Sequence, residues 1–546
     1  MATHHLHTEV VPGTVHLVDL AGTLRVKHQE GGDKEIVLLP QPTAEYDDPL
    51  NWSRRRKLLS VIVGLIAVFS ADIMTTLLSA ALLDIESETG IPLATLNQGV
   101  GVQYLLFGWS CLFWQPLGLT IGRRPTLLIG ALGMLACSVW TSYVRSSGEW
   151  YANRFLIGFF YGPIETLIEV CISDVFFAHD RGFWIGMYCW ILFGIPFLGA
   201  VPAGFIAENL GWQWIQFIAS IIAAGCILIM FFLLEETMFY RPPAQEEAMD
   251  VDLAESTTDK DSSEGPVDEK QGAAPTTQPA AVEVGQIVTK KTYLQKLKVW
   301  GSRRPGQPNH FFRSMWMPFN LVRYPIIAFS GILVGSVLSW FNVVNATTAL
   351  VLASPPYNFP TNMIGVMFIA PFIGCTIGCV FAGVSADRFA VWMSRRKGGI
   401  FEPEYRLWMA VVPVLLHPAG CILFGVGASH GVHWMGIAFG LAFIVGTFPI
   451  GSAIAINYII DSYREISGDG LVTMICIRNA MGFGFSYAVT PWITASGVQN
   501  TYIAVGFIGM FFWGLCFLFV LVGKGTRKAS AKSFWALVEK HGLTAH

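Results

Sequence analysis

Charged residues are scarce in this chain. Only 13% of its 546 residues are Asp, Glu, Lys or Arg, against about 25% in ordinary soluble domains. Hydrophobic residues make up 53%, and the mean hydropathy is +0.51. This composition excludes an ordinary soluble domain, and the formal net charge of −3 gives no indication of a nucleic-acid partner.

Signals of several other protein classes are also missing. All ten cysteines fall inside the apolar runs described below, so none is left for an extracellular disulfide framework. The chain lacks the basic and then apolar pattern of a signal peptide, and it contains no nucleotide-binding loop for direct use of ATP. Beyond His179 and Asp180, no paired acidic or His-Asp motif faces a membrane surface, so we expect neither an enzyme nor a bound cofactor or metal ion.

Long apolar runs are what the chain has in abundance. Twelve runs of about 20 residues match the thickness of the bilayer core, and they form two blocks of six. The sequence therefore predicts an all-α polytopic protein of the lipid bilayer, with twelve transmembrane helices in two six-helix halves. The predicted spans are 58–83, 97–119, 125–144, 150–173, 183–206, 213–234, 324–346, 362–384, 407–427, 433–459, 470–492 and 501–523.

A polar stretch separates the two blocks. It is rich in Glu, Asp, Pro, Ser and Thr, a composition that cannot bury enough surface to offset the entropy of ordering, so we predict that it is disordered. The predicted divisions are an N-terminal tail (1–57), a first half (58–234), a central loop (235–312), a second half (313–523) and a C-terminal tail (524–546).

Basic residues predict the orientation in the membrane. One set of loops holds almost all lysines and arginines near the span ends, whereas the alternate set holds only Arg145. Since basic residues stay on the cytoplasmic side, both termini and the central loop are predicted to be cytoplasmic. The plasma membrane is the expected location. Asn345 begins a glycosylation sequon on the predicted outer side, but it lies so near the membrane that we expect it to be unmodified.

The two blocks carry a faint internal repeat. The fourth span ends in ISDVFFAHDRG at Asp174, and the tenth ends in IIDSYREISGDG at Asp461. Gly158 lies sixteen residues before the first aspartate, and Gly446 lies fifteen before the second. Two six-helix halves in parallel repeat are typical of a transporter whose site lies between the halves.

Two turns between neighbouring spans have related sequences. Gly122 and Arg123 begin the run GRRP after span two, and the matching turn of the second half contains GVSADR, with Gly383, Asp387 and Arg388. Together these runs resemble the loop motif G-x-x-x-D-R-x-G-R-R of the major facilitator superfamily, and each copy keeps a different part. The resemblance implies that fold. We expect the second turn to act as a conformational latch, in which Asp387 lies near the positive dipole end of span eleven.

Further matches resemble one branch of that superfamily, the fungal twelve-span drug:proton antiporters. The run DPLNWS before span one, Arg154 in span four and Gly211-Trp-Gln-Trp214 after span five are similar to that branch, although Ala200 occupies the usual proline position of its kink motif. Other segments resemble the subgroup around the yeast histidinol and polyamine permease; they are 174–182, 402–407, 458–463, 478–479 and 491–492. The resemblance implies secondary active transport.

Charged residues inside the spans are the candidates for function, because each costs on the order of 2.5–3.5 kcal/mol at mid-bilayer. Span four carries Arg154, Glu165 and Glu169. At roughly 100° per residue the glutamates lie ~20° and ~60° from the arginine around the helix, so one polar face should look into the bundle. Asp72 in span one is placed to be the counter-ion of Arg154, and a purely structural pair is the alternative.

Two carboxylates one turn apart cannot share one arginine comfortably. Mutual repulsion and a low dielectric favour uptake of a proton, which makes Glu165 or Glu169 a candidate proton carrier; the alternative is that the pair binds an amine. In the second half, Arg478 beside Asn479 is placed either to meet these glutamates or to bind an anionic substrate.

These observations leave several functions open. The leading prediction is a proton-coupled secondary transporter, acting as a monomer, that exports a small organic molecule such as a fungal metabolite or toxicant. The alternative is a proton-coupled uptake permease for organic cations or polyamines, which the acidic pair favours. A nutrient sensor on the same fold is a third class, but the tail after Gly523 is short for signalling.

Overall fold

The structure is a computed structural model that describes residues 11–16, 48–239, 311–398 and 400–541. Within these ranges the chain is helical apart from loops and one pair of two-residue strands. Strands β1 (Val15–His16) and β2 (Ile400–Phe401) pair antiparallel. The predicted all-α membrane fold is confirmed.

Most of the α-helices follow the apolar runs of the sequence. In the first half they are α1 (Arg54–Thr76), α2 (Leu82–Thr89), α3 (Leu93–Trp109), α4 (Cys111–Ile121), α5 (Arg123–Thr141), α6 (Ser147–Val175), α7 (Ala178–Leu210) and α8 (Trp212–Leu233). In the second half they are α9 (Phe311–Leu321), α10 (Pro325–Ala353), α11 (Thr361–Met367), α12 (Ile369–Arg396), α13 (Val411–Ser429), α14 (Trp434–Gly446), α15 (Phe448–Ser462) and α16 (Ser467–His541).

Ten helices of the described ranges are long and apolar enough to cross a bilayer, and two local features reconcile this number with twelve spans. Helices α3 and α4 together form the second span; they meet at Ser110, and neither is long enough alone. Helix α16 contains spans eleven and twelve, with a break at Gly497, where φ is 72° and ψ is 164°. Glycine adopts that backbone conformation without steric penalty, so the helix turns back there.

The first residues of the predicted central loop are ordered, contrary to the expectation of disorder from residue 235. Glu235 accepts from Arg56 at 2.5 Å. The carboxylate of Glu236 accepts from the backbone nitrogens of Arg123 and Arg124 at 3.0 and 3.1 Å. An anion suits the start of a helix because the first N–H groups lack partners within the helix. Residues 240–310 of the predicted loop lie outside the described residues, and its last two residues begin α9.

A piece of the predicted N-terminal tail is bound to the second half. Arg527 donates from Nη1 to the backbone oxygen of Pro12 at 2.7 Å and to Thr14 Oγ1 at 3.0 Å. The same guanidinium holds Glu404 through two bonds, Nε to Oε1 at 2.9 Å and Nη2 to Oε2 at 2.6 Å. Both charged side chains are buried, and α16 continues through the predicted boundary at 523/524. The basic residues after span twelve are therefore not all simple surface anchors.

Replacing Arg527 with Met should destabilise the protein strongly, because Glu404 would remain buried without a partner. Loss of one partner of a buried pair costs roughly 3–5 kcal/mol. The matched control is Lys524→Met, whose ion pair with Glu402 is partly exposed and worth about 1 kcal/mol or less. Thermal unfolding of the purified protein measures both, and equal effects of the two substitutions would contradict the buried anchor.

Candidate functional site

Helix α6 carries the three charged residues that the sequence singles out in span four. A reciprocal capping box starts the helix: the Glu149 nitrogen donates to Ser146 Oγ, and the Ser146 nitrogen donates to the Glu149 carboxylate. From that start, Arg154, Glu165 and Glu169 fall on one face, and each is at most 3% exposed. The face looks into the bundle, as its angular spacing predicts.

An ion pair joins the two halves at the centre of the bundle. Arg478 of α16 donates through Nη2 to Glu165 Oε1 of α6. Of the two roles considered for this arginine, a contact with the glutamates or the binding of an anionic substrate, the structure contains the first. The Tyr188 hydroxyl of α7 donates to the backbone oxygen of Glu165 at 3.3 Å. All three side chains are buried. A charge of one half is thus neutralised by a charge of the other.

Glu169 lies one turn further along the same face; Arg478 and Tyr188 are its polar neighbours, but it forms no ion pair of its own among the described residues. Its side chain is 1% exposed, and neither carboxylate oxygen has a hydrogen-bond partner within the part of the chain that the structure describes. An ionised carboxylate left unpaired in a low-dielectric interior is costly. Of the two candidate proton carriers, Glu169 is therefore the one that is stabilised more by taking up a proton, because protonation removes a buried charge that takes part in no ion pair.

The predicted pair between Asp72 and Arg154 does not form. Asp72 accepts from the Tyr161 hydroxyl at 3.0 Å, whereas Arg154 donates to Gln103 Oε1 at 2.9 Å and lies 4.0 Å from the centre of the Trp150 ring. The reason is axial: Tyr161 is seven residues beyond Arg154, which is about 10.5 Å along the helix. A helical-wheel projection places Arg154 and Tyr161 on one face of α6, but it does not show how far apart they lie along the helix axis.

A cavity of about 60 Å³ lies between the halves next to Arg154. Such a volume holds a few water molecules rather than a complete organic substrate. The cavity is at the predicted outer ends of the spans. Its lining comes from the end of α1 and the 77–82 segment after it, the outer part of α10, the outer turns of α3 and α6, and α16. The polar members are Thr75, Thr76, Ser79, Asn97, Tyr104, Arg154, Asn342, Asn345 and Ser486.

Glycines bring α3 and α16 into close contact below the cavity. A Cβ on Gly108 would lie 2.8 Å from the Cβ of Asn479 and 2.9 Å from the backbone oxygen of Ile475. Asn479 itself donates to that oxygen at 3.0 Å. The predicted site residue Asn479 is therefore at a helix crossing, where small residues allow backbones to approach.

The two copies of the loop motif have different surroundings. Arg123 pairs with Asp174 at the end of α6, and Gly122 has φ of 110°, where a Cβ would meet Glu236 Oε2 at 2.6 Å. In the second copy, Gly383 lies where α12 crosses α7, and Arg388 is exposed. The Asp387 side chain lies outside the described residues, so its contact with the start of span eleven stays a prediction.

Some polar residues of this region were not among the predicted site residues. Gln103 binds Arg154, and Glu236 caps α5. Gln103 is a polar residue within an apolar run, which is the signal that could have identified it. Asn345 donates to Phe341 O at 3.0 Å and lines the cavity from within α10, which leaves it poorly placed for glycosylation. Within the described ranges, no cluster of His, Cys, Asp or Glu could hold a metal ion.

Comparisons with known proteins all identify transporters of one superfamily. The sequence model described as Major Facilitator Superfamily matches residues 64–466. An uncharacterized MFS-type transporter of Schizosaccharomyces pombe is 28% identical, covering 97% of this chain and 95% of the relative. Protein HOL1 of Saccharomyces cerevisiae is 26% identical, covering 93% of each. The MFS antiporter QDR3 of Candida albicans is 21% identical, covering 86% of this chain and 78% of the relative.

A solved structure has the same fold. The xylose transporter XylE from E. coli, in a partially occluded inward open conformation, superposes with a TM-score of 0.54. The alignment covers 85% of this chain and 99% of XylE, at 12% sequence identity. At this identity the likeness concerns the fold alone.

Substituting Gly108 with Ala should destabilise the contact between α3 and α16, since the new methyl group would meet backbone atoms. Overpacking of this kind costs roughly 1–3 kcal/mol. The matched control is Gly484→Ala in α16, where nothing lies within 4 Å of the added Cβ and Ala should gain up to about 1 kcal/mol of helix propensity. Thermal unfolding compares the two variants, and a Gly108→Ala protein as stable as the control would contradict the close approach.

Proposed function

Because the chain belongs to the major facilitator superfamily and is a multi-pass membrane transporter, we propose that it couples proton movement to export of a small organic molecule. The exported compound is a fungal metabolite or toxicant. The observation that carries the proposal is the buried Glu169 carboxylate, for which no ion pair within 4.0 Å is found among the described residues, beside the Glu165–Arg478 pair between the halves. The relative named an MFS antiporter supports exchange rather than one-way uptake.

The balance of buried charge supports a role for a proton. Two carboxylates, of Glu165 and Glu169, lie one turn apart on α6, together with one guanidinium, of Arg478; all three side chains are buried. Two negative charges against one positive charge leave an excess of one negative charge. A single bound proton makes the group neutral, which is the state that a low-dielectric interior favours.

The contact between the halves suggests how the proton controls access. Arg478 holds the second half to the first through Glu165, and a carboxyl group that takes up a proton attracts the guanidinium less strongly. Protonation of Glu169, with the proton shared between the two glutamates, then weakens the contact and allows the halves to rock. Release of the proton on the other side restores the ion pair.

An uptake permease for organic cations is the second candidate. The same excess negative charge suits an amine as well as a proton, and Asp72 adds a third carboxylate. In this case the glutamates bind the substrate itself. The two candidates differ in what the loss of a carboxylate should remove, namely the coupling in the first and the binding in the second.

Glutamine variants of the two glutamates separate these functions. With a toxicant against which the protein protects yeast cells, Glu169→Gln in proteoliposomes should bind the compound and exchange it downhill but lose flux driven by a pH gradient. Glu165→Gln should show the same pattern if the glutamates share the proton. Glu88→Gln, at an exposed acid, is the control.

Weakened equilibrium binding in the glutamine variants, together with competition by simple amines, would instead favour cation transport. Gradient-driven flux that survives in the Glu165→Gln/Glu169→Gln double variant would contradict any coupling role for this face of α6.

Topology and the latch can be tested by cysteine labelling. With both termini cytoplasmic at the plasma membrane, probes at Glu88 and Tyr357 should react from outside intact cells, whereas a probe at Ser262 should not. If Asp387 holds the cytoplasmic side closed, Asp387→Asn should raise the reactivity of the native Cys476, which lies against Gly108 between the halves. Lys397→Gln is the control.

External labelling at Ser262 would overturn the topology. Unchanged reactivity of Cys476 in Asp387→Asn would overturn the latch.

A further inference from the structure

Arg154 is a buried cation with unused hydrogen-bonding capacity. It is 1% exposed, and only its Nη1 donates, to Gln103; Nε and Nη2 have no partner among the described residues. No carboxylate of the described ranges forms an ion pair with it, since Asp72 binds Tyr161 and Glu165 binds Arg478. An uncompensated charge inside the bilayer is expensive, so its retention calls for a counter-ion that the described chain does not supply.

The surroundings of Arg154 hold its guanidinium in place. Trp150 stacks on one face at 4.0 Å, and the indole nitrogen donates to the backbone oxygen of Leu96 at 3.2 Å, which fixes the ring. Gly99 makes room for that ring, because a Cβ there would lie 2.2 Å from the indole nitrogen. Gln103 orients the guanidinium from another side. Such prior ordering lowers the entropy lost when a ligand binds.

The cavity beside Arg154 suits one end of an anionic molecule. Its volume of about 60 Å³ accepts a group of a few atoms, and amide and hydroxyl groups line it together with the arginine. Asn342, which donates to Ser486 Oγ at 3.1 Å, fixes part of the wall from the second half. A guanidinium presents its donors in a planar fork that matches a carboxylate better than any other common group.

We propose that the Arg154 cavity is a subsite that binds a carboxylate group of the transported solute. The proposal rests on the proposed transport function and adds the class of compound, an organic acid or a zwitterion. The body of the solute enters when the halves separate, because residues of both halves line the cavity. The proton site at Glu165 and Glu169 lies further along α6 and is a separate group. Arg154 thereby becomes a residue that determines specificity.

A pair of probes that differ only in charge tests the subsite. Benzoate and benzamide have nearly the same shape, and ligand binding raises the unfolding temperature of a purified protein. Benzoate should bind at least tenfold more tightly than benzamide to the intact protein. This preference should vanish in Arg154→Gln and persist in Arg145→Gln, which alters an exposed arginine.

A lysine variant and a chloride control distinguish a carboxylate subsite from a site that binds any anion. Arg154→Lys keeps the positive charge but lacks the fork, so it should fold and prefer benzoate more weakly than the intact protein does. Sodium chloride at matched ionic strength tests whether a small inorganic anion fills the site instead. Equal binding of benzoate and benzamide, an undiminished preference in Arg154→Gln or Arg154→Lys, or an equal stabilisation by chloride would each overturn the proposal.

The test is independent of coupling. It needs no proton gradient, and Glu165→Gln and Glu169→Gln should keep the preference for benzoate. A failure of the carboxylate subsite therefore leaves the coupling experiment unaffected, and a failure of coupling leaves the binding preference measurable.

Discussion

The cost of a charge away from water organises the polar interior of this transporter. Within the described ranges, several buried arginines meet that cost by pairing with carboxylates, among them Arg123 with Asp174, Arg478 with Glu165, and Arg527 with Glu404. The first and last pairs lie toward the predicted cytoplasmic ends of the spans, whereas the Arg478 pair alone among these joins the two halves near the middle. That position makes it the contact that has to break when the halves separate.

Two of the buried charged groups that do not take part in these pairs, Glu169 and Arg154, divide the proposed work of transport. Glu169 and Arg154 are both buried, have unsatisfied polar atoms and lie on one face of α6 about four turns apart. A proton neutralises the first, and a carboxylate neutralises the second. The Glu169 carboxylate attracts a proton and the Arg154 guanidinium attracts an anion. The two ligands can therefore bind to the same half at the same time, at different positions. Glycine contacts such as that of Gly108 with Asn479 keep the halves close enough to couple the two events.

The sequence predicted the features that depend on runs of residues. Span positions follow from apolar runs of bilayer length, and the polar face of α6 follows from helical spacing. Contacts that depend on height or on distant segments were not predictable in this way. The pairing of Asp72 with Tyr161 rather than Arg154 is a matter of axial position, and the anchoring of Arg527 by Pro12 and Glu404 joins segments far apart in the chain. Composition alone places Glu236 in a disordered loop, because it averages over many residues and does not reveal a single capping residue.

The proposed coupling requires a buried carboxyl group of α6 to take up and release the coupled proton. Infrared difference spectroscopy of the protein in lipid, recorded while the pH is lowered, detects that event directly as a carbonyl band of a protonated carboxylic acid. We expect a band that disappears in Glu169→Gln and remains in Glu88→Gln. A band that persists unchanged in the Glu165→Gln/Glu169→Gln double variant, or the absence of any such band in the intact protein, would contradict it.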